Sequence, residues 1–395
     1  MEIRQLTTQD YDERMALSQF AFQMRWTEEQ LEKRRGTFRP EWDWGAFDEQ
    51  GTMLSALTLI PFEAWVHGRK LAMGGVAGVA TWPEARRQGC VSKLLSHALE
   101  TMKKDGQTIS MLHPFSFAFY RKFGYEMTVE HKKYELGVRQ LPPRTDVLGT
   151  VRRMADPDIG LLNGIYSAYA SRYNGNLERT PEWWKERVLR NDGTAAVYES
   201  ESGAPEGYVF YDVQNRALAV HEFVALNETA REALWSYVAN HDSMIDRVTL
   251  QAPIDDGLTY LLADPRIKQE VVPYFMSRIV DAEAFVKLYA WSPGADGESV
   301  LLELKDEHAP WNAGSYRLAW DADGAGVLTK LEGAEAEASA GKGLVCSIQE
   351  LSAMLLGDRK PAWLAAVGRL SGPEESVRLL ERRIPTRTPY LMDFF

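Results

Sequence analysis

Val79-Ala-Thr-Trp-Pro-Glu-Ala-Arg-Arg-Gln-Gly-Cys90 is the stretch that connects an apolar segment to an amphipathic one. The apolar run at residues 75–80 is typical of a buried strand, and apolar residues recur at helical spacing over residues 90–104. The strand therefore leads into a helix through a turn that carries two arginines and a glycine. Unpaired backbone N–H groups and the positive end of the helix dipole favour an anion at such a turn. The stretch predicts a mixed α/β domain that binds a phosphate or pyrophosphate.

The same stretch differs from two common nucleotide-binding motifs. No Gly-Lys-Ser/Thr follows it, and its glycine spacing is not that of a dinucleotide fingerprint. The order Pro-x-x-Arg-Arg-x-Gly after a strand instead resembles the coenzyme A pyrophosphate loop of the GNAT acyltransferases. The family pattern is matched at Arg86 and Gly89, whereas Val91 replaces its final Gly or Ala. The resemblance implies acetyl-CoA as co-substrate, held by Val79, Ala80, Thr81, Arg86, Arg87, Gln88, Gly89, Cys90 and Val91.

A second segment carries an aromatic block. Residues 108–112 have the pattern of a strand, and His113-Pro-Phe-Ser-Phe-Ala-Phe-Tyr-Arg-Lys-Phe-Gly-Tyr125 follows. Phenylalanines at every fourth position indicate one packed face. In GNAT enzymes a similar block carries the tyrosine that protonates the departing coenzyme A thiolate, so the resemblance implies that Tyr120 is the catalytic acid. His113 is an alternative acid or base and Cys90 an alternative nucleophile, although both fit turn or core positions better.

Length, cysteine content and hydropathy restrict the class of protein. A chain of 395 residues predicts two or three domains. Two cysteines, Cys90 and Cys346, are too few for a disulfide framework or a zinc cluster, so we expect small core residues and no metal. No run approaches the roughly 18 apolar residues of a membrane span, and the N-terminus has no signal-peptide pattern. The sequence predicts a cytoplasmic protein that does not contact membranes.

The net charge gives a weaker indication. A formal charge of −11 argues against a nucleic-acid partner, because nucleic-acid-binding proteins usually carry a basic face. It is compatible with a cationic substrate.

The chain divides into three blocks, predicted at residues 1–139, 146–286 and 288–395. A proline-containing linker follows the first block, and the second repeats much of the pattern of strands and helices of the first. Its turn at residues 223–233 has neither the glycine nor the paired arginines that would hold a pyrophosphate. We therefore expect a second domain of similar fold that does not bind the coenzyme. The third block resembles a sterol-carrier module.

Together the three blocks resemble the Eis family of bacterial N-acetyltransferases. This implies two tandem GNAT domains followed by a sterol-carrier-protein-like α+β domain, assembled as a homotrimer or hexamer. In that family the terminal carboxylate is the general base, which here is that of Phe395; mycobacterial members carry an acidic residue just before it, where this chain has Phe394. The resemblance also implies an amine pocket formed by Phe22, Met24, Trp26, Glu28 and Trp44. Glu28 equally fits the first turn of a helix, where an acid complements the helix dipole.

The function predicted is direct acetyl transfer from acetyl-CoA to a primary amine of a polycationic substrate. The acceptor is a small molecule or a peptide: an aminoglycoside, a polyamine or a lysine side chain. One alternative is a lipid-binding or regulatory protein that uses the third domain and has an inactive first domain. Another is a different GNAT acyl transfer, to peptidyl-lysine or from an aminoacyl-tRNA, the latter disfavoured by the negative charge.

Overall fold

A computed structural model describes residues 1–189 and 193–395, and within them the strands form two sheets. The first segment of the chain contributes β1 Glu2–Gln5, β2 Asp43–Phe47, β3 Met53–Val66, β4 Arg69–Thr81, β5 Ile109–Leu112 and β6 Glu126–Gly137. The second contributes β7 Thr150–Arg153, β8 Thr194–Glu199, β9 Pro205–Gln214, β10 Ala217–Ala225, β11 Arg247–Ala252 and β12 Lys268–Ile279. The third contributes a separate sheet of β13 Ser299–Lys305, β14 Gly314–Trp320, β15 Gly326–Lys330 and β16 Leu344–Ser347.

Helices cover both faces of the large sheet and pack on the small one. In the first two segments they are α1 Tyr11–Ala21, α2 Glu28–Thr37, α3 Cys90–Lys104, α4 Phe117–Arg121, α5 Ile159–Ala170, α6 Pro181–Trp183, α7 Glu228–Ala239 and α8 Leu258–Leu261. In the third they are α9 Ala282–Leu288, α10 Gly333–Ser339, α11 Ile348–Leu355, α12 Pro361–Ala366 and α13 Glu374–Arg383. None of the helices in the described ranges has both the length and the apolar character that a membrane span requires.

The first two segments share one sheet because they exchange strands. The strand order is β1-β2-β3-β4-β5-β12-β6-β11-β10-β9-β8-β7. Strand β12 of the second segment pairs with β5 of the first, and β6 of the first pairs with β11 of the second. The two exchanged strands also pair with each other, in antiparallel register. Each segment therefore completes the sheet of the other, which the domain limits predicted from the sequence did not anticipate.

Local sequence signals account for several element boundaries. Helix α3 has the limits that its apolar spacing predicts, and a capping box begins α2: the Gln30 backbone N–H donates to Thr27 Oγ1 over 3.2 Å. Helix α1 ends at Ala21. Gln23 then adopts a left-handed φ of 54°, which a helix interior does not allow. Both cysteines are buried, as predicted.

The third segment is packed against the large sheet through a shared core. One cluster of buried side chains contains residues of all three segments, among them Met73, Phe275 and Leu302. A buried ion pair crosses the same boundary: Arg278 Nη2 lies 2.5 Å from Asp306 Oδ2, and both side chains are almost fully buried. The three segments therefore form one packed body.

The exchanged strands make the first segment dependent on the second. We predict that a fragment of residues 1–139 does not fold cooperatively, because without β12 the β5 edge is left unpaired and hydrophobic. Thermal unfolding of the purified fragment, followed by circular dichroism, measures this. Co-expression with residues 146–395 is expected to restore a soluble complex. A sharp unfolding transition of the isolated fragment would contradict the prediction.

A buried histidine lies where the three segments meet. His67, at the tip of the β3–β4 hairpin, lies 2.8 Å through Nε2 from the Tyr289 hydroxyl, and its backbone N–H donates to Asn174 Oδ1 over 2.8 Å. Burial, with a smaller effect from the nearby Arg387 guanidinium, lowers the pKa of His67 to about 4. The folded protein therefore holds this ring neutral.

We predict that the chain loses stability in mild acid through His67. The pKa of His67 is about 6.5 in the unfolded chain and about 4 in the folded one. The free energy of unfolding is therefore highest above pH 6.5 and decreases towards pH 4, by up to about 3 kcal/mol. His67→Gln removes this part of the slope, although the lower stability caused by the lost Tyr289 contact persists at all pH values. Denaturant titration at pH 4.5, 5.5 and 7.5 measures the free energy of unfolding of both proteins. If the variant loses stability with falling pH as steeply as the wild type, the assignment to His67 is wrong.

Candidate active site

The centre of the candidate site is a fork between two parallel strands. Strands β4 and β5 pair only from Met73↔Ile109 to Gly75↔Met111. Beyond Gly75, β4 continues to Thr81, whereas β5 ends at Leu112. Within the described residues no strand pairs with β4 on this side between Val76 and Thr81. The fork therefore leaves backbone N–H and C=O groups available to an extended ligand.

A buried arginine fixes a bulge in the free part of β4. The β3–β4 register shifts between the Ala56↔Ala80 and Thr58↔Ala77 pairs, and Gly78 has a φ of +57°. Arg14 of α1 donates to the Gly78 carbonyl over 3.1 Å and forms a buried ion pair of 2.8 Å with Asp43. A methyl group on Gly78 would lie 2.6 Å from the Arg14 guanidinium, so this approach requires glycine.

The predicted anion turn follows β4 directly. Arg87 and Gly89 have left-handed φ values of +64° and +81°, and Gly89 is the N-cap of α3. Within the described ranges no side chain caps this helix, and a Cβ on Gly89 would meet no atom within 4 Å. The N-terminal N–H groups of a long helix therefore face open space, as an anion site needs.

A cavity of about 670 Å³ lies in front of this turn. This volume is in the range of small-molecule sites. It is lined by eight of the nine residues predicted for the coenzyme, namely Val79, Ala80, Thr81, Arg86, Arg87, Gly89, Cys90 and Val91, and by aromatic residues that include Phe22, Phe115 and Phe119. Gln88 differs, because its side-chain amide donates to the Glu84 carbonyl over 2.8 Å.

Tyr120 lies beside the fork on the face that α3 covers. It is buried and packs with the α3 residues, with its ring 6.1 Å from that of Tyr125. The Tyr125 hydroxyl lies 2.8 Å from Ser110 Oγ, which donates to the Gly74 carbonyl. Burial, and to a smaller degree Tyr125, raises the pKa of Tyr120 well above its usual value. Tyr120 therefore keeps its proton at neutral pH and can act as a donor.

Phe395 reaches the same fork from the opposite face. Its buried ring lies 4.9 Å from the rings of Phe62 and Phe275. A methyl group on Gly75, in the last pair before the fork, would lie 2.9 Å from the Phe395 ring. The chain's last residue is thus packed over the end of the β4–β5 pairing. Tyr120 packs in the cluster that contains α3, whereas Phe395 packs on the opposite face in the cluster shared with the third segment.

The tail before Phe395 is bound to the second segment. The Asn174 N–H donates to the Thr388 carbonyl over 3.0 Å, and the Tyr390 N–H donates to the Asn174 carbonyl over 2.8 Å. The Met392 N–H donates to Asn176 Oδ1 over 3.1 Å. These contacts hold the tail in an extended conformation.

Asp393 is the most strongly held residue of the tail. Its carboxylate accepts from Arg179 Nε over 2.9 Å, from Trp183 Nε1 over 2.8 Å and from the Tyr166 hydroxyl over 3.2 Å. The other edge of Arg179 contacts Glu222, at 2.5 Å. The ionic groups are almost completely buried. We did not predict Arg179, Asp393 or Trp183 from the sequence; one signal was an acid within an otherwise apolar terminus.

The residues predicted for the amine pocket do not all lie together. Phe22 lines the cavity and is about half exposed, Met24 is exposed, and the Trp26 ring stacks under Arg34 at 4.1 Å. Glu28 is exposed at the start of α2. Trp44 lies on the other face of the sheet from α1, with its ring 4.2 Å from that of His97 on α3.

The two alternative catalytic residues are in different environments. The His113 ring lies 4.9 Å from that of Phe394, and burial lowers its pKa. Cys90 is buried at the anion turn, with Sγ 3.7 Å from the Ala85 carbonyl. His113 is therefore close to the tail, whereas Cys90 is close to the predicted pyrophosphate position.

Family models match all three segments. Residues 2–128 and residues 175–279 each match an acetyltransferase (GNAT) domain, and residues 282–392 match a sterol carrier protein domain. The chain is a GNAT-type N-acetyltransferase. The predicted fold class, two GNAT domains followed by a sterol-carrier-like domain, is confirmed.

Relatives of similar length extend this result. An uncharacterized N-acetyltransferase of Streptomyces avermitilis is 27% identical over 384 residues, covering 88% of this chain and 87% of the relative. A probable N-acyltransferase from Enterococcus faecalis V583 superposes with a TM-score of 0.91 at 27% identity, over 100% of this chain and 99% of the other. Eis1 from Mycobacterium abscessus has a TM-score of 0.82 at 21% identity, over 100% of both chains, and shares the fold.

The second GNAT domain has a fork but a different turn. Strands β10 and β11 pair only from Ala217↔Arg247 to Val220↔Leu250, and β10 then continues alone on that side among the described strands. Its following helix, α7, is capped by Asn227, whose Oδ1 accepts from the Ala230 N–H over 2.9 Å. A side chain therefore occupies the helix end that is open at α3 in the first GNAT domain.

Proposed function

We propose that the first GNAT domain transfers the acetyl group of acetyl-CoA directly to a primary amine. The observation that supports this proposal is the β4–β5 fork: the Phe395 ring packs at Gly75 in the last pair before the fork, and the uncapped end of α3 follows the free part of β4. An anion site, a proton donor and a carboxylate base at one strand opening are the groups that such a transfer needs.

The anion turn provides for the coenzyme pyrophosphate. The guanidinium groups of Arg86 and Arg87 and the uncapped N–H groups of α3 supply charge-assisted hydrogen bonds. The free edge of β4 from Val79 to Thr81 accommodates the pantetheine arm in the manner of an added strand. A backbone N–H at this edge can polarise the thioester carbonyl and stabilise the oxyanion that forms on attack.

Proton transfer is assigned to the two residues at the fork. The acceptor amine arrives as an ammonium ion and gives a proton to the α-carboxylate of Phe395, directly or through water. Its nitrogen then attacks the thioester carbonyl, and the carbon–sulfur bond breaks as the oxyanion collapses. Tyr120 donates its proton to the departing thiolate, giving coenzyme A. The nitrogen gives its second proton to the Tyr120 phenolate, directly or through water, which leaves the neutral acetylated amine, and the proton on the Phe395 carboxyl passes to solvent.

The substrate class that we assign follows the resemblance to the Eis family. We propose a polycationic acceptor, such as an aminoglycoside, a polyamine or a lysine side chain, that enters past Phe22, Met24, Trp26 and Glu28. The overall charge of −11 supports a cationic acceptor and no nucleic-acid partner. On the same resemblance we propose that the protein is a cytoplasmic homotrimer or hexamer.

One observation favours the lipid-binding alternative. A cleft of about 490 Å³ in the sterol carrier domain has apolar side chains such as Met354 and Ile384 beside basic ones such as Arg378 and Arg382. If the protein binds acetyl-CoA but transfers to none of a panel of amines, fatty-acid titration of this cleft becomes the test of that function.

We predict that Tyr120→Phe lowers kcat by about 10² or more, because general acid catalysis contributes about 10² to 10⁴ in rate. Thiol release from acetyl-CoA with a panel of multi-amine substrates measures the rate, and calorimetry checks that coenzyme binding is retained. Tyr134→Phe is the matched control, since it removes the hydroxyl of a tyrosine on β6 that donates to Asp256. Equal rates for Tyr120→Phe and wild type would exclude Tyr120 as the acid.

We predict that one glycine added after Phe395 lowers kcat at least tenfold. The extension keeps the Phe395 ring but converts its carboxylate into an amide, which cannot accept the ammonium proton. Phe395→Tyr, which retains a terminal carboxylate on an aromatic residue, is expected to keep most of the rate. Full activity of the extended chain at neutral pH would rule out the terminal carboxylate as the base.

A further inference from the structure

We propose that Arg179 and Asp393 position the terminal carboxylate, and that the second GNAT domain binds the chain's own tail in the groove that corresponds to the acceptor site of the first. This inference rests on the proposed function, in which the Phe395 carboxylate is the base. Arg179 and Asp393 act through Phe395 and are positioning residues.

The two GNAT domains correspond at the fork. In the first, the last pair before the fork contains Gly75 of β4; in the second, it contains Val220 of β10. Glu222 lies two residues beyond that pair and turns its carboxylate to Arg179. The side chain of Glu222 is therefore at the mouth of the second fork.

The segment that follows the first helix of each domain also corresponds. Thr27 caps α2 in the first domain, and Thr180 caps α6 in the second, accepting from the Trp183 N–H over 3.2 Å. Arg179 therefore has the position of Trp26, which is predicted for the amine pocket. In the second domain the same segment contacts the tail through Asn174, Asn176 and Arg179. Residues 388–393 of the chain thus occupy this groove.

The side chains around Asp393 allow its carboxylate only one position. Arg179 is held between two carboxylates, and its guanidinium also lies 3.8 Å from the centre of the Tyr166 ring and 4.7 Å from the Trp184 ring. Tyr208 donates to Glu222 over 2.6 Å, which fixes the far partner. A buried pair with this many donors has no solvated alternative, because either charge would remain uncompensated if it separated.

The constraint extends to the end of the chain. The Asp393 carbonyl accepts from the Tyr274 hydroxyl over 2.9 Å, so backbone and side chain are both fixed two residues before the terminus. Trp183 donates to Asp393, and its ring packs 5.0 Å from Phe62, which contacts Phe395. Between these anchors only Phe394 is exposed. Residue 395 is therefore held by its ring on one side and by the fixed Asp393 backbone on the other, which restricts where its α-carboxylate can lie.

Asp393→Asn is the direct test. The variant leaves Arg179 paired with Glu222, so no buried charge is left without a partner and the fold is expected to persist. We expect kcat to fall about tenfold while KM for acetyl-CoA changes less than twofold. The deficit should shrink as the pH approaches the pKa of the acceptor amine, where the amine no longer needs a base. Hydrogen exchange of the Tyr390 and Met392 amides should accelerate.

Glu298→Gln is the matched control, because it removes the carboxylate that pairs with buried Arg383 in the third domain. It is expected to lower thermal stability without changing kcat or its pH dependence. If Asp393→Asn behaves the same way, or lowers kcat equally at every pH, the residue is only structural and the proposal is wrong. If Asp393→Asn keeps full kcat while the glycine extension abolishes activity, the Phe395 carboxylate is still the base, but Asp393 does not position it. If the glycine extension itself keeps full activity, the proposed base and this inference both fail.

Discussion

The site depends on the early end of one strand pairing. Parallel hydrogen bonding between β4 and β5 stops at Gly75↔Met111, and the strands then diverge. The exchanged strand β12 pairs with β5 on its other side, so β5 is fixed while β4 is free to open. Arg14 stabilises the bulge in the free part through the Gly78 carbonyl. Gly75 itself leaves the space that the Phe395 ring fills. An opening of this kind is stable because each strand is supported from its far side.

Much of the first half of the site could be predicted because its signals are local. The apolar spacing of α3 and the glycine-containing turn before it lie within one short stretch. The structure has the predicted helix there, and Gly89 in the turn is left-handed. Strands β6 and β12 were not predicted. Their charged halves, such as residues 268–272, are exposed and have no clear alternation of apolar and polar residues. They are strands because they pair with each other and with β5 and β11, which is a tertiary effect that outweighs local preference.

The tail network could not be predicted for a different reason. Arg179 and Asp393 are 214 residues apart and meet only after the second domain has folded. Neither has a periodic neighbour that would mark it as buried, and a single acid in an apolar terminus has many explanations. Trp44 shows the reverse case: its place in the sequence suggested the pocket, but strand alternation turns its ring towards His97. The face of the sheet on which a side chain lies follows from the strand register, and the register is set by the partner strands.

The two GNAT domains share one fold but differ in the groups that lie at their helix ends and strand forks. In the first domain the end of α3 is open and beside arginines, whereas in the second Asn227 fills the corresponding position on α7. A capped helix end has fewer free N–H donors, so α7 lacks the open end that α3 presents after the arginine-containing turn. The second fork then lies beside a segment that can accept a peptide, and the chain's own terminus is bound there. The second domain thus holds the tail whose last residue packs at the β4–β5 fork of its neighbour.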